Sequence, residues 1–142
     1  MIVPRYYENL DVLHENTMSA RAYYIPASKR MDDLAERREM SDRIQFLNGV
    51  WKFKYYDSIY DVTEEFYRTD FDVSGYDTIK VPGVWQNAGY DCHQYTNIRY
   101  PFPFDPPYVP CDIPCGAYAY DFTYSKDEKA GRALLNFEGV DS

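Results

Sequence analysis

At 142 residues the chain is one domain's worth of polypeptide, enough to bury roughly two-thirds of its unfolded surface on folding. A formal net charge of -8, from 15 Lys and Arg against 23 Asp and Glu, excludes a nucleic-acid partner, because nothing here could neutralise a row of phosphates. The opening Met1-Ile2-Val3-Pro4-Arg5 is too short for a secretion signal and no run approaches a membrane span, so a soluble, cytoplasmic protein is expected, with no membrane partner.

Residues 1–27 carry the aromatic pairs Tyr6-Tyr7 and Tyr23-Tyr24 without a sustained period and read as an irregular, extended arm. Residues 28–45 are the most charged part: Met31, Leu34 and Ala35 fit a helical stripe only loosely before Arg37-Arg38-Glu39. A short surface helix or ordered linker with a solvated face is the reading there. These 45 residues form the first of two expected units.

From Phe46 the pattern changes, and 46–142 is expected to be a β-sandwich. Trp51, Phe53 and Tyr55 alternate with Lys52 and Lys54 after the turn signal Asn48-Gly49, the period of two of a strand with one buried face. Thr78 to Val81 reads as a short strand stopped by Pro82-Gly83. Tyr118, Tyr120, Phe122 and Tyr124 alternate with smaller or polar residues over 117–124, and 133–137 reads as a further strand after a polar turn. Short strands between turn clusters, with no strong helix among them, predict an all-β antiparallel sandwich.

Residues 82–116 form one long irregular segment, and six of the nine prolines stand between 101 and 114. Proline fixes φ and removes the amide donor, so this stretch is excluded from interior sheet. It is either a stiff wrap over the sandwich or a loop presenting side chains outward, and the two roles are compatible. Cys92, Cys111 and Cys115 are an odd set with one loose pair, which favours free thiols over a disulfide framework or a zinc site. No metal site is assigned.

Several motifs stand in order along the chain. They are Tyr7-Glu8-Asn9, Leu47-Asn48-Gly49-Val50-Trp51-Lys52-Phe53, Val81-Pro82-Gly83-Val84-Trp85-Gln86, Gly89-Tyr90-Asp91 and Tyr95-Thr96-Asn97-Ile98-Arg99-Tyr100-Pro101. After them come Asp105-Pro106-Pro107-Tyr108-Val109-Pro110, Gly116-Ala117-Tyr118 and Phe137-Glu138-Gly139-Val140-Asp141-Ser142. In this order and spacing the chain resembles the N-terminal, sugar-binding-like domain of a family 2 glycoside hydrolase, most closely the large β-galactosidases. Two positions depart from the pattern. Gly83-Val84 stands where many members carry a polar residue before the Trp, and Tyr6 stands where an acidic residue can precede Glu-Asn.

The resemblance implies a jelly-roll, galactose-binding-like sandwich, incomplete at its C-terminus because members are several times longer. It also implies catalytic carboxylates on a later barrel domain, a β-galactoside substrate, and Mg and Na as cofactors of the full-length enzyme but none in this chain; the alternatives are the N-terminal domain of another family 2 enzyme, a β-glucuronidase or β-mannosidase, and a stand-alone carbohydrate-binding module. The rest of the enzyme would be the first partner, with homo-oligomer contacts through the N-terminal arm. The residues agree in one respect. A retaining glycosidase needs two carboxyl groups about 5 Å apart, and none of the glutamates at 8, 15, 36, 39, 64, 65, 128 and 138 stands in an apolar strand-end setting. All are read as surface charge, and no catalytic residue is assigned.

Asn97 is the candidate substrate contact implied by the Tyr95-Thr96-Asn97 motif. Its amide offers one acceptor and two donors to a sugar hydroxyl, and Tyr95 and Asp91 are its candidate supports. The bland reading is that Asn97 caps a turn before the prolines.

Overall fold

A computed structural model describes residues 4–95, 97, 98, 100 and 103–140. Met1, Ile2, Val3, Thr96, Arg99, Pro101, Asp141 and Ser142 of the motifs above lie outside the described residues. The fold is all-β. Its sheet has three antiparallel strands, β1 (Gly49–Tyr56), β2 (Asp77–Val81) and β3 (Cys115–Ala119), in the order β2-β1-β3. Among the described residues helical structure is limited to short 3-10 turns at Tyr6–Glu8, Arg38–Met40, Ile59–Asp61 and Trp85–Ala88.

The central strand is β1, for a reason visible in its side chains. It is the longest strand, and both of its edges find partners: Trp51 pairs with Ile79 of β2, and Phe53 with Tyr118 of β3. Alternation sends Trp51, Phe53 and Tyr55 to one face and Lys52, Lys54 and Tyr56 to the other. On the second face the 57–76 loop folds back, so that Tyr56, Val62, Tyr76 and Ala117 form a buried cluster flanked by Phe66, Phe71, Val73 and Cys115.

Lys54 and Tyr56 bring polar groups onto that face, and Glu64 of the loop answers both. Lys54 Nζ donates to the two carboxylate oxygens at 3.0 Å each, and Tyr56 Oη donates at 2.8 Å. The ammonium also lies 4.9 and 5.5 Å from the ring centroids of Tyr56 and Tyr76. Lys54 first, then Tyr56, holds the Glu64 carboxyl below the usual carboxylate range. A depressed folded-state value means stability that is present above the unfolded value and lost as pH falls through the folded one. We therefore expect the wild-type melting temperature to drop on going from about pH 6 to about pH 3, and Glu64→Gln to flatten that acid limb. Parallel thermal melts of the two proteins measure the difference.

Two strand expectations need correction. The alternating run over 117–124 enters the ladder only as far as Ala119, although Tyr120 still stacks on Trp51 at 5.0 Å and 9°. Alternation reports which side chains share a face; the ladder also needs a backbone partner, and β1 pairs with β3 only over Lys52–Tyr56. Residues 133–137 are irregular, and they run along a cleft wall without a strand beside them. The charged 28–45 segment is a turn closed by Arg37 N–H to Asp33 C=O at 2.7 Å, followed by the Arg38–Met40 3-10 turn.

Candidate functional site

The site is a long excursion between β2 and β3, and its two roots are fastened to the sheet. At the first root, β2 runs into Pro82-Gly83. A Cβ on Gly83 would lie 2.7 Å from the Lys80 carbonyl oxygen, so only glycine passes here without backbone movement. The Trp85–Ala88 3-10 turn then lays its indole on the sheet, 6.3 Å from the Phe53 ring and edge-on to Tyr55 at 5.7 Å. Gly89, at φ +92, ends the turn in the left-handed region that favours glycine.

Tyr90 completes this root. Its ring meets Phe53 edge-on at 4.9 Å and stacks on Tyr55 at 5.7 Å, and its hydroxyl donates to Asp77 at 2.8 Å. The carboxylate beside it raises the Tyr90 phenol, with burial adding to the effect. His93 and Asn87 hydrogen-bond at 2.8 Å just outside. At the second root, Ser58 Oγ donates to the Cys111 carbonyl at 2.7 Å and Ile59 N–H to the Ile113 carbonyl at 2.9 Å. An exposed loop held at both ends can present side chains outward at a modest cost in entropy.

Between these roots several of the described side chains are open to solvent: Tyr95 is 73% exposed, Ile98 78% and Phe104 84%. Asn97 is exposed, and its Nδ2 donates to Tyr95 Oη at 2.9 Å. The structure therefore brings Tyr95 and Asn97 together. One N–H of the amide is used within the loop, and among the described residues its Oδ1 and second N–H have no partner. Among the same residues the side chain makes no bond to a backbone amide, as a turn cap would.

Among the described residues Asp91 makes no hydrogen bond to that pair. It occupies the bend after Gly89 at φ +57, and its charge acts on Tyr55, whose phenol is pushed up by burial first and by Asp91 second. Cys92, Cys111 and Cys115 are free thiols, the first two exposed. Among the described residues no three His, Cys, Asp or Glu side chains are arranged to hold a metal ion, and no helix is long and apolar enough to cross a membrane.

The arrangement can offer hydrogen bonds and aromatic surface from a fixed base. Residues 44–142 match the family described as glycosyl hydrolases family 2, sugar binding domain.

The chain belongs to glycosyl hydrolase family 2.

Its relatives extend the match through the N-terminal arm. A β-galactosidase of Actinobacillus pleuropneumoniae is 45% identical over 142 residues and one of Staphylococcus xylosus is 41% identical over 143, each covering 100% of this chain. A Vibrio vulnificus β-galactosidase is 36% identical over 90% of it. The chain spans only about 14% of the length of the first two relatives and 13% of the third.

Some contributions of this family 2 chain were invisible to sequence reasoning. The pair Asp77–Tyr90 joins strand to loop across 13 residues, and neither residue carries a periodic signal for it. Gly116 was legible only as part of a motif; its role is to let Phe53 and Trp85 close over β3. Glu138, read as surface charge, takes Arg38 at 2.6 Å and Tyr23 at 3.1 Å across about a hundred residues of sequence.

Proposed function

We propose that this chain is the N-terminal portion of a β-galactosidase that hydrolyses terminal non-reducing β-D-galactose residues of β-galactosides. In this reading its contribution is the Tyr95–Asn97 loop, reaching toward a catalytic barrel supplied by polypeptide outside these residues. The carboxylates that act as acid and nucleophile are placed on that barrel, and the 142 residues alone are inactive. The sandwich is a jelly roll that later strands complete. The observation that carries the reading is the Asn97 amide, oriented by Tyr95 and exposed on a loop anchored at both roots. The names of the relatives, all β-galactosidases, support the substrate class.

Partners follow from the same reading. The galactoside meets Asn97, the barrel domain meets the 91–110 excursion, and the N-terminal arm contributes to a homo-oligomer through its exposed Leu10, Leu13 and Met18. Tyr at 6, 7, 23 and 24 suits that role, since aromatic residues are enriched in interfaces. A cytoplasmic location fits the -8 charge and free thiols. Mg and Na belong to the full-length enzyme by family resemblance, and no residue here is assigned to them.

The test uses the full-length protein that carries this N-terminus. It is expected to turn over a chromogenic β-galactoside in preference to the matching β-glucuronide and β-mannoside. Asn97→Ala should lower kcat/KM roughly 10- to 100-fold, with kcat sharing the loss, because hydroxyl contacts tighten toward the oxocarbenium-like state. The melting temperature should hold, since the side chain faces outward. The opposite pattern, normal kinetics with a lower melting temperature, would return Asn97 to the role of a turn residue. Preference for a glucuronide or mannoside would move the enzyme to another activity of the family.

A further inference from the structure

Among the described residues, the last hydrogen bonds that tie the excursion to its base ahead of Asn97 are those of Tyr90 and His93. The register of β1 against β2 sets Asp77 directly opposite Phe53, so the carboxylate and the ring share one face of the sheet. Tyr90 lies over both. Its ring meets Phe53 at 4.9 Å and Tyr55 at 5.7 Å, and its hydroxyl donates to Asp77 Oδ2 at 2.8 Å. Its backbone N–H donates to the Trp85 carbonyl at 3.1 Å. One residue is thereby joined to β1, to β2 and to the 3-10 turn that follows β2.

The contacts at Tyr90 are of two kinds. Ring packing on Phe53 and Tyr55 holds the segment down, but edge-on and offset arrangements serve it almost equally well, so it leaves the ring free to slide. The hydrogen bond is directional, and its charged acceptor makes it short and strong. It fixes how the Tyr90 ring lies on the sheet, and so the direction in which the chain leaves. Beyond it Asp91 turns the backbone at φ +57, and His93 Nε2 meets Asn87 Oδ1 at 2.8 Å. The Asn97 amide is then pointed by Tyr95 Oη at 2.9 Å, and among the described residues neither of that pair bonds to the sheet. The amide therefore inherits its placement from the Tyr90 root.

We propose that Tyr90 and Asp77 are positioning residues for galactoside hydrolysis: their hydrogen bond aims the loop that carries Asn97, and through Asn97 it aligns the sugar. This rests on the substrate contact proposed for Asn97. A shift of about 1 Å in a positioning group can cost up to about 100-fold in rate, whereas losing one exposed hydrogen bond changes folding stability little. Turnover is the more sensitive readout of this bond, and the two effects separate.

The test uses the full-length protein that carries this N-terminus, assayed with a chromogenic β-galactoside well below its melting temperature. Tyr90→Phe keeps the ring on Phe53 and removes only the hydroxyl. It should lower kcat/KM roughly 3- to 10-fold, with kcat sharing the loss and the melting temperature holding. Asp77→Ala should lose as much, and Asp77→Asn, whose amide oxygen still accepts from the phenol, should recover most of it. The deciding measurement is the cycle with Asn97→Ala: in that background Tyr90→Phe should change kcat/KM by less than about 2-fold, because the group it aims is gone. Asp77→Ala carries the same cycle should Tyr90→Phe fold poorly. An undiminished loss in the Asn97→Ala background overturns the proposal. So does wild-type kcat/KM in Tyr90→Phe when Asn97→Ala alone is impaired. Unaltered kcat/KM in Asn97→Ala removes the substrate contact itself, a failure distinct from the other two.

Discussion

Phe53→Ala is expected to cost about 3–5 kcal/mol of folding stability, the range for deleting a buried aromatic ring and leaving a cavity. Phe53 is fully buried at the centre of β1, in the middle of three aromatic contacts: Tyr118 at 4.8 Å, Tyr90 at 4.9 Å and Trp85 at 6.3 Å. A domain of this size has about 5–15 kcal/mol in total, so the loss is a large part of what holds the sheet. A urea titration should show a lower midpoint at an unchanged slope. The ring also seats Trp85 and Tyr90, so the first root of the excursion should loosen and the Trp85 environment become wetter. Phe53→Leu, which keeps most of the volume, should cost less than about 1.5 kcal/mol. A Phe53→Ala loss below about 1 kcal/mol would show that the 85–90 segment is held from elsewhere.

Gly116→Ala should destabilise by about 1–3 kcal/mol, although alanine ordinarily improves a non-helical glycine by about 0.4–1 kcal/mol through the unfolded chain. The clash decides the sign. A Cβ at Gly116 would stand 2.7 Å from Phe53 Cε2, 2.7 Å from Trp85 Cζ3 and 2.9 Å from Trp85 Cε3. The two rings also pack against each other, with centroids 6.3 Å apart, so a shift of either one disturbs that contact. Relief should come from the far side of the contact: Trp85→Leu should cost less in the Gly116→Ala background than in wild type, a coupling read by a double-mutant cycle. Strict additivity would mean that the Trp85 ring moves freely and that Gly116 is not a packing requirement.

These two substitutions mark where sequence reading stops. The strand over 49–56 was legible because Trp51, Phe53 and Tyr55 alternate with lysines, and β2 because Ile79 and Val81, alternating with Thr78 and Lys80, meet Pro82-Gly83. The excursion was legible because its prolines forbid sheet, but it ends at Pro114 and not at 116, since Cys115 and Gly116 open β3 against Tyr56 and Tyr55. Residues 133–137 failed for the complementary reason: apolar composition is a local property, but a strand exists only beside another backbone with free donors and acceptors. The run over 117–124 shows both sides at once, since its facing survives to Tyr120 while its hydrogen bonding ends at Ala119.

At the site, the motif around Asn97 was read directly in the residues, and its pairing with Tyr95 follows from a spacing of two that keeps both side chains within reach. Asp91 illustrates the opposite case. It is close in sequence, yet the left-handed turn through Gly89 and Asp91 directs the backbone so that its charge falls on Tyr55 instead.

By itself, then, the sequence determined the all-β class, the two strands with clean alternation, the irregular Pro-rich excursion and the family motifs. Each of these is written in local preference, in side-chain period and backbone freedom, over a few neighbouring residues. Only the tertiary structure decided that β1 lies between β2 and β3, that Trp85 and Tyr90 fasten the excursion to Phe53, and that Arg38 meets Glu138 across a cleft. Those are contacts between distant segments, and they form because burying the aromatic face of β1 requires cover that no neighbouring stretch of chain can reach.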